Sequence, residues 1–340
     1  VAPRILAAPD KYRGTLTAAE AATAIAEAAR RVGWDCDLAP VSDGGEGFLD
    51  VFGALGGRQV TRVAGPLGSP VDAPWLLGRD PDDGARNIAI VEAARAVGLT
   101  LAGGRSGNDP VGASSTGVGQ LIAAAIRSGA RHVVVGMGGS ASTDGGLGAV
   151  DALAPGGRLP GVKLTVACDV QTRFVDAAVD FGPQKGAAPA QVELLRRRLE
   201  KVAQLYLERF GTDVRDVPGS GSAGGLAGGL AALGATLVPG FDYVAERMSL
   251  AERAADVDLV VTGEGFIDRQ SFVGKAVGGV VELAQQAGVP VLVVAGDGEP
   301  DLETAYVSLV GRFGRQRAME ATAECITEVV ASRLAEGWPG

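Results

Sequence analysis

A chain of 340 residues, 46% of them hydrophobic, has the length for two α/β domains or one large one, and no apolar run in it approaches the ~20 residues that cross a bilayer. The formal charge of −9 comes with no basic block, because Arg196-Arg197-Arg198 sits beside Glu193 and Glu200 in a helical pattern, and this argues against a nucleic-acid partner. Cys36, Cys168 and Cys325 are too few and too scattered for a disulfide framework or a CxxC metal site, and the opening VAPRILAAPDKYRGT has no basic stretch followed by an apolar segment, so a soluble cytoplasmic protein without a membrane segment is expected.

The apolar run at 4–8 stops at Pro9-Asp10, as a buried strand does. Thr17 and Glu20 then form a capping box, in which hydroxyl and carboxylate each satisfy a backbone N–H left unpaired at a helix start. The helix runs over 21–32 and ends at Gly33, where a positive φ is cheap. A strand over 37–41 leads to Asp43-Gly44-Gly45-Glu46-Gly47 and a helix ending at Gly56-Gly57. An extended pair follows over 60–77 with its turn at 66–70, then a strand at 88–92 and a helix at 118–128. Strands at 133–136 and 164–167 precede a helix at 189–210. The chain closes with a strand at 258–262, a glycine-rich turn, a helix at 275–287, a strand at 289–295 and a helix at 319–334. Alternation of strand and helix at both ends argues a parallel sheet with helices on both faces. Ligands bind beyond the carboxyl ends of such strands, so the loops 9–14, 42–47 and 263–274 are expected to line one crevice.

The segment RHVVVGMGGSASTDGGLG follows a strand and interleaves glycines with Ser140, Ser142, Thr143 and Asp144. Bare N–H groups and small hydroxyls suit polyphosphate, and the carboxylate suits a hydroxyl or metal-bound water; a tight turn without a ligand is the plain alternative. Gly136-Met137-Gly138 with Ala141 is a degenerate dinucleotide fingerprint and keeps a dehydrogenase as the minority reading. Gly219 to Gly224 spells GxGxxG with no apolar strand before it, and Gly274-Lys275 fails as a P-loop because Arg269 and Ala276 stand where glycine and Ser or Thr belong. Asp10-Lys11-Tyr12-Arg13 crowds both charge signs into a turn, where Arg13 and Lys11 can grip a carboxylate or phosphate or make an ordinary surface pair. Asp43 and Glu46 flank glycines and suit substrate hydroxyls or Mg²⁺, with helix capping by Asp43 as the competing role. Glu264, Asp268 and Lys185 add the mixed charges that phosphoryl transfer uses, and the single histidine, His132, reads as packing.

Eight strings taken together resemble the bacterial glycerate kinase family: APDKYRGTLTA, SDGGEG, STGVGQLI, GMGGSASTDGG, ACDV, FGPQKGA, GSAGGLAGGL and DLVVTGEGFIDRQSFVGKA. They run in the family's order along nearly the whole chain. The resemblance implies a kinase that uses ATP and Mg²⁺ to phosphorylate D-glycerate, with 2-phosphoglycerate favoured over 3-phosphoglycerate, acting as a monomer or homodimer. It implies a flavodoxin-like domain with a parallel sheet from both chain ends, 1–60 and 255–340, and a mixed α/β domain inserted at 61–254, with the active site in the cleft between them. It also implies roles for single residues. Lys11 and Arg13 would hold glycerate's carboxylate or the transferring phosphoryl, joined at the substrate by Asp10, Asp43, Glu46 and Ser140. Asp43 or Asp144 would orient and deprotonate the attacking hydroxyl. Gly138, Gly139, Thr143 and Gly221 would approach the nucleotide phosphates, Lys185 and Lys275 would offset their charge, and Asp169, Glu264 or Asp268 would hold Mg²⁺. Two departures stand out: Gln171-Thr172-Arg173-Phe174 replaces the family's Asn-Pro-Leu loop after Asp169, and Lys11 and Arg13 occupy the places of its Ser and Lys. A sensor that binds glycerate without turnover is a rival that the altered loop would fit.

Overall fold

The computed structural model describes residues 2–154, 157–168, 171–272 and 275–337. Its contacts define two compact units, one from the chain ends (up to residue 43 and from 241 onward) and one from residues 44–240. The strands are β1 Arg4–Ala7, β2 Asp35–Leu38, β3 Gly56–Ala64, β4 Pro70–Arg79, β5 Asn87–Glu92, β6 Ala130–Gly136, β7 Lys163–Ala167, β8 Thr236–Val238, β9 Leu259–Ile267, β10 Val291–Gly298 and β11 Val307–Ser308. Among the described residues no helix is long and apolar enough to cross a membrane.

The first unit is a wholly parallel sheet in the order β11-β10-β9-β1-β2. Its central strands are apolar on both sides, because helices cover both faces. Ile5, Ala7, Leu259, Val261 and Val294 share a core with the helices Ala18–Arg31 and Thr322–Ala335, which are tied by a Thr327 hydroxyl donating 2.9 Å to the Ala24 carbonyl. Alternate side chains turn the other way, so Leu6 and Val260 meet Leu250, Ala254 and Val280. The capping box is present: Thr17 Oγ1 accepts from Glu20 N at 3.2 Å and Thr17 N donates 2.8 Å to the Glu20 carboxylate.

Strand β9 runs to Ile267 instead of stopping at 262, because its ladder with β10 continues through Gly263, Glu264 and Phe266 to Ile267. Glycine at 263 permits this: a Cβ there would overlap the Val294 carbonyl and approach Tyr12 Oη to 2.7 Å. That space is taken by the Tyr12 hydroxyl, which donates 2.7 Å to Val294 O. The region expected to be a glycine turn is therefore mostly strand. β2 begins earlier than expected, but Ala39 N and Val41 N still donate to Ala7 O and Pro9 O at 2.8 and 3.0 Å, so the chain follows β1 to residue 41.

The second unit has the sheet order β3-β4-β5-β6-β7-β8, antiparallel across β3, β4 and β5 and parallel from β5 to β8. The helix expected to reach Gly56-Gly57 is a single turn, Phe48–Val51, and both glycines open β3 instead. A Cβ on Gly56 would collide with Leu77 O, so the two strands pack backbone to backbone there. Gly56 thus belongs to the second unit, whose boundaries fall at 43/44 and 240/241 instead of 60/61 and 254/255. His132 lies in β6, its Nδ1 2.8 Å from Asp80 Oδ2 and its Nε2 3.0 Å from Thr165 Oγ1, a packing role at the amino end of the strands. Arg196 and Arg197 pair with Glu193 on the exposed face of the Pro189–Phe210 helix.

The capping box gives a direct stability test. Thr17→Ala removes an N-cap acceptor and is expected to lower unfolding free energy by ~1 kcal/mol, read as a shifted urea midpoint with an unchanged slope; an unshifted midpoint contradicts the assignment.

Candidate active site

In the first unit the loop leaving β1 is pinned along β9. Asp10 N donates 2.9 Å to Gly263 O and Gly265 N donates 3.3 Å to Lys11 O, while a Cβ on Gly265 would come within 2.8 Å of Arg13 N. This close approach buries Asp10, which is 4% exposed, at the carboxyl ends of parallel strands. Lys11 Nζ lies 3.3 Å from Asp10 Oδ2 and 3.8 Å from Asp43 Oδ1, joining the loops after β1 and β2. With its side chain only 13% exposed, Lys11 is no ordinary surface ion pair. Nor does Asp43 cap a helix, since the Phe48–Val51 turn starts at Gly47 without a side-chain cap.

The electrostatics show too much negative charge for the cations present. Burial pushes the Asp10 carboxyl up to about 7; Lys11 opposes this, while Asp43 and Glu264 add to it. Burial also raises the Glu264 carboxyl, against the Ser271 hydroxyl, Lys275 and Lys11. Desolvation pulls the Lys11 ammonium down, yet Asp10 and Asp43 together outweigh it and the net shift is upward. Glu264 Oε1 is buried with no hydrogen-bond partner. A cation or a proton donor is what this cluster lacks.

The second unit holds another polar centre, on the turn after β6. The Asp144 carboxylate accepts from Ser115 N and Ser115 Oγ, both at 2.8 Å, from Gly146 N at 3.1 Å and from Gly148 N at 3.3 Å. Its Oδ2 is taken up in closing the turn ahead of the Leu147–Leu153 helix, and Oδ1 accepts from Gly146 N. Lys185, 4% exposed, donates 3.0 Å to Ser140 Oγ and 2.6 Å to Ser142 O. Neither acceptor is charged, and burial brings the Lys185 ammonium down to about 7, with Asp144 pulling the other way. Ser142 Oγ, Thr143 Oγ1 and Ser222 Oγ are buried nearby without partners. Ala223, Gly224 and Gly225 all have positive φ, of 53°, 71° and 89°. A Cβ on Gly224 would overlap Ser142 O and stand 2.9 Å from Lys185 Nζ, so glycine is what lets this turn seat against the lysine.

The glycerate kinase family profile matches residues 5–156 and 154–334. This chain belongs to the glycerate kinase family. Among glycerate kinases, one from Halalkalibacterium halodurans is 39% identical over 86% of this chain and 85% of its own length. A glycerate 2-kinase of Escherichia coli K12 is 37% identical over 89% and 87%. A crystal structure from Salmonella typhimurium LT2, assigned to glycerate kinase 2, superposes with a TM-score of 0.78 at 34% identity over 99% of both chains. The protein is accordingly a phosphotransferase with an alcohol acceptor, and the dehydrogenase reading falls.

Against the glycerate kinase expectation, the first unit brings together Asp10, Lys11, Asp43 and Glu264, with exposed Arg13 and half-buried Lys275 acting electrostatically on Lys11 and Glu264. Asp268 Oδ1 accepts from Ser271 N at 2.8 Å and from Ser271 Oγ at 3.2 Å. Asp169 lies outside the described residues. Among those described, no group of three or more His, Cys, Asp or Glu is placed to hold a metal ion. In the second unit Ser140 and Thr143 adjoin the Lys185 centre, whereas Glu46 is exposed. Gly221 N already donates 3.0 Å to Thr172 O, so its N–H is not offered to a phosphate. Gly138 is small for packing, since a Cβ would stand 2.6 Å from Gly45 Cα, and Gly139 turns at φ 61°. Ser115 and Ser271 were missed. Ser271 was readable from the Asp268-Arg269-Gln270-Ser271 spacing, which suits a local carboxylate cap, but nothing in the sequence pairs Ser115 with Asp144.

Lys185 carries a pH signature. Between about 7 and its ordinary 10.5 the unfolded chain holds a proton on this lysine that the folded chain does not, so folding stability gains with rising pH over that window. Denaturant titrations across it are expected to show wild type gaining up to ~1.4 kcal/mol per pH unit relative to Lys185→Met. A difference that stays constant with pH means the lysine is charged in the fold.

Proposed function

We propose that this glycerate kinase transfers the γ-phosphoryl group of ATP to the 2-hydroxyl of D-glycerate, giving 2-phosphoglycerate. The observation that carries the reading is the ion-pair chain from buried Asp10 through Lys11 to half-buried Asp43, beside Glu264, in a protein 37% identical to a relative named glycerate 2-kinase. Lys11 and exposed Arg13 supply positive charge for a small carboxylic acid, and Arg13 can meet a carboxylate with two parallel N–H donors. Asp10 holds the Lys11 ammonium in place, both through its backbone N–H at 2.6 Å and through Nζ. Asp43, half-buried and 3.8 Å from Lys11 Nζ, is proposed as the group that accepts the proton of the attacking hydroxyl, as a carboxylate can. Asp144 is a weaker choice because its oxygens are engaged by Ser115, Gly146 and Gly148.

Lys275 in the first unit is proposed as a partner of phosphate oxygens; within the second unit, Lys185 with Ser140, Thr143 and the Gly138-Gly139 backbone is a candidate anion site in its own right. Protonated Lys185 would then have the anionic partner that the fold itself does not give it. The donor set also fits Mg²⁺: Glu264 presents a buried carboxylate oxygen with no partner, and Mg²⁺ needs only one or two protein carboxylates when phosphate and water complete its shell. Glu264 would hold it, with phosphate and water completing the shell. When bound, Mg²⁺ neutralises charge on the phosphate oxygens.

The test is ADP release by the purified protein. It is expected only when ATP, Mg²⁺ and D-glycerate are all present, with Asp43→Asn lowering kcat by roughly 10²–10⁴ at little change in the KM of glycerate. Lys11→Met is expected to raise that KM instead. Turnover without glycerate dependence, or full kcat in Asp43→Asn, contradicts the assignment.

A further inference from the structure

We propose that a groove of about 230 Å³ on the first unit, along the flank of the Ala276–Ala287 helix, is the subsite for the amino-bearing purine base of the nucleotide. The proposal rests on the ATP reading above. The helix lines the groove with Lys275, Gly278, Gly279, Glu282, Leu283 and Gln286, a spacing that keeps them on one side.

Two glycines on the helix let aromatic side chains pack close along the groove. A Cβ on Gly279 would overlap the Phe241 ring and one on Gly278 would stand 2.6 Å from Phe272 Cα. With glycine at both places, an aromatic ring lies directly against bare helix backbone, and Phe272 and Leu283 extend the apolar lining. A planar heteroaromatic ring is the ligand shape that such a slot suits.

The polar groups of the lining carry both signs. Asp242 and Glu282 are exposed acceptors on the rim, and Gln286 Nε2 donates 3.2 Å to Glu282 Oε1, which spends an amide donor and leaves its carbonyl oxygen. A rim of acceptors asks for N–H donors on the ligand's edge, which the exocyclic amine of a purine supplies. Lys275 stands at the start of the helix, about 16 Å of helix length from Gln286. The lining thus offers one cation, an apolar surface that includes aromatic side chains, and carboxylate acceptors, the three chemistries that the phosphate, ring and amine of an aminopurine nucleotide call for.

Calorimetric titration of the full chain with ATP, and separately with inorganic tripolyphosphate, tests this. Leu283→Trp, which fills the groove, is expected to weaken ATP at least about tenfold and leave tripolyphosphate within about twofold. Glu282→Ala, on the exposed rim, is expected to weaken ATP about three- to tenfold in the same selective way. Unchanged ATP affinity in both variants, or an equal loss for ATP and tripolyphosphate, overturns the subsite while wild-type ATP binding upholds the nucleotide reading. A wild-type protein that does not bind ATP overturns that reading itself.

Discussion

The placement of one ammonium group organises the first unit's chemistry. Lys11 Nζ sits between Asp10 and Asp43, and reaching that position requires the loop after β1 to lie flat along β9. Two glycines make this possible. Gly263 leaves room for the Tyr12 hydroxyl to reach across β9 to Val294 O, and Gly265 lets the backbone of Tyr12 and Arg13 come close. Put any side chain there and the loop lifts, the Lys11 carbonyl loses its bond to Gly265 N, and the carboxylates separate. The site is thus a consequence of strand packing as much as of the charged residues.

The charge balance follows from the same burial. Three carboxylates, Asp10, Asp43 and Glu264, interact with Lys11 in a region where desolvation already raises Asp10 and Glu264. Such an arrangement is poorly satisfied alone and improves when a cation or a proton donor enters, which is the property expected of a phosphotransferase site before its ligands arrive. The second unit shows the opposite imbalance: Lys185 is buried against neutral oxygens and lowered to about 7, among hydroxyls without partners. One unit lacks positive charge and the other lacks negative charge.

Much of this was legible in the residues. The capping box at Thr17 and Glu20, the alternation of strand and helix at both chain ends, and the Pro189–Phe210 helix depend on local chemistry and appear as expected. The charged turn at Asp10 to Arg13 is visible as a cluster, but its residues leave an ordinary surface pair open, and only the burial of Lys11 argues against one. Elements set by distant partners were harder. β9 looked finished at 262 because glycines follow, yet those glycines serve the close packing of Tyr12 and β10. The residues before Gly56 read as a full helix although they form a single turn, because the contact of Gly56 with Leu77 lies across a hairpin. Asp144 looked like a free carboxylate, since nothing local announces Ser115, and Asp268 looked like a metal ligand although Ser271 engages it. Residue type and spacing identify the groups that carry chemistry; which of them are already spent is decided by packing.

The central claim is that these groups serve phosphoryl transfer to the 2-hydroxyl of D-glycerate. Phosphorus NMR of the product formed from ATP, Mg²⁺ and D-glycerate tests it most directly. A single new phosphomonoester resonance coupled to the C2 proton is the predicted result. A resonance coupled to the C3 methylene protons, or no phosphorylated acid at all, would contradict it.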